Sequence, residues 1–204
     1  MLSVSKKGDI IYMKQKEVLE VTPSKEIIVG NKQAPVRIVM FGDYESEACA
    51  KASEAVGQLL QEMEEEVNFC FRHFPLTRIH QKAHKAAEAA IGAAQEGRFW
   101  EMHNLLYSHR FNLGVISLKG YAREAGVKDK KYLDHLINGD WGWYVQDDLK
   151  DGIALGVQEI PAVFVNDVRL AKEPTYKNIK AAVQEALQAG KTTKVVGIKQ
   201  KKRA

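Results

Sequence analysis

Residues 34–51 read APVRIVMFGDYESEACAK. The run VRIVMFGD (36–43) is nearly continuous in apolar residues and rich in Val and Ile, the composition of a strand buried on both faces. Ser46 follows within a few residues and suits a helix N-cap, because its hydroxyl oxygen accepts one of the backbone N–H groups left free in the first turn. Behind it, Ala52, Val56, Leu59, Leu60 and Met63 keep helical spacing. VNFCFRHF (67–74) is the next strand and stops at Pro75. A strand, helix, strand order predicts a right-handed parallel crossover.

Outward from this unit the pattern changes. From His80 to about Gly156 only helical periodicities occur: 84–97, 98–110, 116–126, 130–139 and 143–156, each ending at or near a glycine or a change of pattern. Strand character returns in PAVFVND (161–167), followed by a tight turn and VRLAK, and residues 176–190 form a closing helix. On the other side KEIIVG (25–30) suits a short strand. The layout predicts an α/β thioredoxin-like fold, a central mixed sheet flanked by helices, split by an all-helical insertion. Its parts are an N-terminal extension (1–24), a split thioredoxin-like unit (25–77 and 157–190), the inserted helices (78–156) and a basic tail (191–204).

Composition narrows the function classes. The chain has 204 residues, 45% hydrophobic and 27% charged, enough to bury a sizeable core. A formal net charge of +4, much of it in KTTKVVGIKQKKRA, is too small and dispersed for a nucleic-acid surface. No apolar stretch has the length of a secretory signal or a membrane span, so a cytoplasmic location is expected, with neither membrane nor nucleic acid as partner. Two cysteines, Cys49 and Cys70, are too few for a disulfide framework.

In order, APVRIVMFGDYESEACAK, FRHFPL (71–76), AHKAAEAAIGAAQEGRFWEMHNLL (83–106) and IPAVFVND (160–167) resemble the DsbA-like thiol-disulfide oxidoreductases of the thioredoxin superfamily. The resemblance covers roughly residues 26–189. It implies disulfide exchange with protein, peptide or small thiols as the ancestral activity, and a cis-proline beside the reactive turn, at Pro161. The backbone of Ile160 would then face that turn with its polar groups open to a ligand strand. The family's C-x-x-C departs here to S-E-A-C: its first cysteine falls on Ser46, its proline on Glu47, its second cysteine on Cys49.

The substitution removes the sulfur that attacks. In a C-x-x-C site the first thiol, as thiolate, opens the substrate disulfide, and the second resolves the mixed disulfide. A serine hydroxyl does neither, so weak or absent dithiol exchange is expected. Glu45 and Glu47 flank Ser46 and disfavour a nearby thiolate, as does burial. Cys49 therefore reads first as a small apolar packing residue that stays a thiol, and second as the nucleophile of a monothiol enzyme. Ser46 reads first as a cap. Its alternative follows kappa-class glutathione transferases, in which a serine at this position approaches the glutathione sulfur. Glutathione is the one ligand of cofactor type that the reading admits. The substrate-side residues expected are Tyr44, Glu47, Ile160 and Pro161.

Other residues carry weaker signals. Cys70, mid-strand, reads as core or as a partner for Cys49. His80, His84, His103 and His109 lack the spacing of a metal site, and His103 reads as a hydrogen-bonded packing residue. Trp141, Trp143 and Tyr144 read first as packing of the insertion and second as a peptide or ligand groove, and the lysine-rich tail as a solvated end.

Overall fold

A computed structural model describes residues 22–201, with side chains through residue 190. The first 21 residues of the expected extension, and the side chains of the basic tail, lie outside what is described. Five strands form one mixed sheet in the order β1-β3-β2-β4-β5: β1 (Ile28–Gly30), β2 (Val36–Gly42), β3 (Val67–His73), β4 (Ala162–Val165) and β5 (Val168–Arg169). β2 and β3 are parallel, joined by α1 (Glu47–Glu62); the other pairings are antiparallel. A short 3-10 turn, Ser24–Glu26, precedes β1.

β3 is buried along its whole length. β2 departs from the expectation of burial on both faces: Arg37 is exposed and Val39 half-buried, while Met40, Phe41 and Gly42 are buried. Val36, Ile38 and Met40 point into the main core with α1. Phe41, on the other face, joins Phe74, Val157, Ala162 and Phe164 in a second cluster. Only the end of β2 that leads to the turn is covered on both sides, and there space is tight. A β-carbon on Gly42 would lie 2.8 Å from the Phe71 ring.

Five helices come between β3 and β4: α2 (Ala83–Ala94), α3 (Phe99–Ser108), α4 (Val115–Glu124), α5 (Tyr132–Asn138) and α6 (Gly142–Ala154). The alanines of α2 let its neighbours approach closely. At Gly92 the six-membered ring of Trp141 lies where a β-carbon would be, 2.5 Å away. Trp143 differs from its expected packing role and is 74% exposed, whereas Trp141 is 2% exposed. Trp141 is the residue that caps α6 and turns in against α2, whereas Trp143 lies in the first turn of the helix and faces out.

A buried carboxylate ties these helices to the sheet. Asp148 of α6 accepts hydrogen bonds from the backbone N–H of His73 (2.9 Å), from Arg72 Nε and from the Ser24 hydroxyl, and lies 3.0 Å from His73 Nδ1. Asp151 takes the other arm of the Arg72 guanidinium at 2.6 Å. Hydrogen bonds from His73 and the charge of Arg72 outweigh burial and hold the Asp148 carboxyl below its ordinary value.

The β4–β5 hairpin turns on Asn166 and Asp167 at φ 46° and 67°, the left-handed pair of a type I′ turn. α7 (Tyr176–Lys201) then packs on α1 and the sheet through Ile179 and Val183. It runs past the expected end at residue 190. Gly190 does not take the left-handed conformation that would cap the helix, and no proline follows.

Candidate functional site

The turn between β2 and α1 is built on Asp43, which is 2% exposed. One carboxylate oxygen accepts from the Glu45 N–H at 2.8 Å. The other accepts from the Leu76 N–H at 2.8 Å and lies 2.9 Å from His80 Nδ1. One side chain thus shapes the turn and fastens the chain after β3 against it. The sequence reading missed this residue. The available signal was an Asp two residues before the amide it binds, an Asx turn immediately ahead of a helix.

Ser46 caps α1 as expected, in extended conformation, with Oγ accepting the Cys49 N–H at 3.2 Å. Cys49 lies one turn in and has no exposed surface. Burial pushes its thiol up from an ordinary 9.0 to about 11, with hydrogen bonds from Ser46 and the Asp43 backbone opposing and the Asp43 charge adding. The charge that bears on it is therefore Asp43, rather than the expected Glu45 and Glu47. Those two point away. Glu45 accepts the Lys82 N–H at 2.7 Å, and Glu47 pairs with Lys51 at 2.8 Å and Arg110 at 3.2 Å. Those partners, the Lys51 hydrogen bond foremost, hold the Glu47 carboxyl below its ordinary value.

Tyr44, expected on the ligand side, is 1% exposed and lies beneath the turn. Its hydroxyl is 3.0 Å from His103 Nδ1, and His103 Nε2 is 2.9 Å from the Ser53 hydroxyl. Burial, and secondarily His73, pushes His103 down to about 3, so the ring is neutral at physiological pH. A neutral imidazole has one N–H and one bare nitrogen, and two flexible hydroxyls satisfy both. Burial raises the Tyr44 phenol well above its ordinary value, Asp148 adding to it. Tyr44 is thus a fixed, uncharged support. The Tyr107 ring packs on it, 4.9 Å between centroids, and the buried Tyr107 hydroxyl has no hydrogen-bond partner among the described residues.

Ile160 and Pro161 precede β4, and their peptide bond is cis. Ala162 pairs with Phe41 in the register of β4 on β2, which sets Pro161 opposite Gly42, at the start of the Asp43–Ser46 turn. Both residues are half-buried. Neither backbone group of Ile160 makes a hydrogen bond among the described residues.

The remaining residues of interest fall elsewhere. Cys70 is a free, buried thiol on β3 whose sulfur donates to the Ser24 carbonyl at 3.4 Å. The histidines disperse: His80 to Asp43, His84 to Glu88 (3.0 Å), His109 stacked on Tyr121. Among the described residues no group of three His, Cys, Asp or Glu side chains is placed to hold a metal ion, and no helix is long and apolar enough to cross a membrane.

Comparison with known proteins agrees with this architecture. A family model described as thioredoxin matches residues 22–185. Two curated relatives are the Na(+)/H(+) antiporter NhaA 1 of Salinispora arenicola, 33% identical over 169 residues, and NhaA 3 of Salinispora tropica, 32% identical over 174. The matches cover 83% and 85% of this chain but 26% of each antiporter, so the chain spans about a quarter of their length. Among solved structures, oxidised BdbD from Bacillus subtilis superposes with a TM-score of 0.72 at 22% identity. A thioredoxin-like oxidoreductase from Silicibacter pomeroyi gives 0.70 at 23%. Each covers 79% of this chain and 92% of its own. The chain belongs to the thioredoxin family and carries the DsbA-like form of its fold.

Proposed function

We propose that this chain uses the DsbA-like scaffold to hold an extended peptide or a small thiol beside Pro161, with little or no dithiol exchange of its own. Cys49 carries the reading. It is the only sulfur on the turn, it has no exposed surface, and its thiol is pushed up to about 11. Ser46 stands in the place of the family's attacking thiol, and its oxygen already accepts the Cys49 N–H. Disulfide exchange requires a thiolate to attack one sulfur of the substrate and expel the other as a thiolate. Neither residue supplies one at neutral pH.

Three features support the ligand-side part of the reading. The free N–H and carbonyl of Ile160 offer a donor and an acceptor to an extended strand, as in other strand-addition complexes. Glu47, with Arg110, forms the rim at the helix start. Tyr44 supports the turn from below.

The test is reduction of insulin by dithiothreitol. The chain as it stands will run at the uncatalysed rate; turnover comparable to a C-x-x-C enzyme overturns the proposal. Ser46→Cys restores part of the activity, because the new thiol occupies the helix start and Cys49 lies one turn behind to resolve the mixed disulfide. Recovery is partial, since the buried Asp43 charge opposes ionisation nearby.

A further inference from the structure

A second concave site lies away from the turn, between α4, the start of α5 and the loop that joins them. It is a cavity of about 260 Å³ bordered by Lys119 and Arg123 of α4, by Lys128, Asp129 and Lys130 of the loop, and by Tyr132. Lys119 and Arg123 are one helical turn apart and share a face, an arrangement that like charges disfavour. Lys128 and Lys130 bring two further cations to the same space.

None of the four forms an ion pair among the described residues, whereas Lys51, Lys85, Arg98, Arg110, Lys150 and Lys180 elsewhere on the chain do. The nearby carboxylates are committed to other donors. Asp129 accepts the Lys131 N–H at 2.8 Å and its other oxygen lies 3.8 Å from His135 Nε2. Glu96 accepts the backbone N–H groups of Lys128 (2.9 Å) and Asp129 (2.8 Å), which fixes the loop that carries the cations. The Tyr132 hydroxyl donates to the Ala89 carbonyl at 2.6 Å. The cavity wall thus holds four cations against one acid, in a chain whose net charge is only +4.

We propose that this cavity binds a small, multiply charged phosphate anion. Phosphate groups match the donors: several oxygens, more than one negative charge, a planar guanidinium able to bind two oxygens at once and three ammonium groups able to follow. A single carboxylate would leave most of the positive charge uncompensated. An extended polyanion would also have to pass the Asp129 carboxylate on the wall, which a compact anion seated among the four cations need not do. The site is independent of the reading proposed for the turn.

The test uses inorganic pyrophosphate and the full chain, titrated calorimetrically at constant ionic strength. Binding at one site per chain is expected, weakened about tenfold or more in the double variant K119Q/R123Q, which removes two of the facing charges. No heat beyond that of an equal-charge sodium chloride control overturns the proposal. So does binding that survives undiminished in the variant, which would put the anion on other lysines. Backbone amide shifts in the unaltered chain give a measure that needs no variant. On pyrophosphate addition they concentrate at residues 119–132; shifts confined to the C-terminal residues overturn the proposal.

Discussion

The burial of Cys49 makes a quantitative demand on its reactivity. Iodoacetamide reacts with the thiolate, so labelling reports both ionisation and access. With the thiol moved from 9.0 to about 11, the thiolate fraction at any pH well below both values falls by about 100-fold. The absent solvent exposure adds a second factor, because reagent reaches the sulfur only when the structure opens. Native-state labelling should therefore be at least about 100-fold slower near pH 7 than in urea, and rise only under alkaline conditions. Mass mapping separates Cys49 from Cys70, whose thiol burial pushes up to about 12. The same shift bears on stability. The fold favours the neutral thiol, so its contribution is complete below the unfolded value of 9.0 and is lost as pH rises towards about 11. Two units correspond to about 3 kcal/mol, seen as a falling urea midpoint on the alkaline side. Labelling of native Cys49 at pH 6–7 as fast as in urea would refute the reasoning and make the residue an activated, accessible nucleophile.

Three further outcomes follow from the packing. Asp148→Ala leaves Arg72 Nε and the His73 N–H buried without their acceptor, with only Asp151 still on the guanidinium, and should cost about 3 kcal/mol in urea unfolding; a loss under about 1 kcal/mol contradicts the anchoring role. His103, pushed down to about 3, refuses a proton that the unfolded chain accepts from an ordinary 6.5. Its contribution is present above that value and lost as pH falls towards 3, by up to about 1.4 kcal/mol per pH unit, so His103→Gln should flatten stability against pH there. An unchanged slope assigns the acid loss to other groups. Gly92→Ala gains up to about 1 kcal/mol of helix propensity but drives a β-carbon into Trp141; overpacking at about 1–3 kcal/mol should win, lowering the urea midpoint and altering the near-ultraviolet dichroism of the tryptophans. A more stable variant means that Trp141 moves aside without cost.

The fold was legible in the sequence where one physical signal dominated. Short apolar runs bounded by turn residues marked β2, β3 and β4, and helical spacing marked α1 and the helices between the strands. The extent of α7 was not, because a glycine interrupts a helix only when its backbone turns left-handed, and Gly190 does not. Ser46 and Cys49 could be placed because a cap and a buried helical face are local properties. Asp43 and Asp148 escaped because their importance lies in partners 33 and 75 residues away, which no local pattern encodes. The orientation of the two glutamates escaped for the same reason: Glu45 meets the Lys82 amide and Glu47 meets Arg110. Tyr44 was read as facing a ligand, yet a phenol held by a neutral imidazole is equally at home inside.

The carboxylate of Asp148 joins the chain before β1, the end of β3 and the middle of α6. A hinge between the helices and the sheet would have to break all of those contacts and leave charge unpaired in the interior, so a swinging closure of one layer over the other is barred. Adjustment is left to the loops. On the function proposed above, a ligand laid beside Pro161 would meet a surface ordered in advance, and the protein would lose little conformational entropy on receiving it. Affinity would then turn on how much freedom the ligand itself gives up, which would favour peptides already extended over those that must unfold to fit.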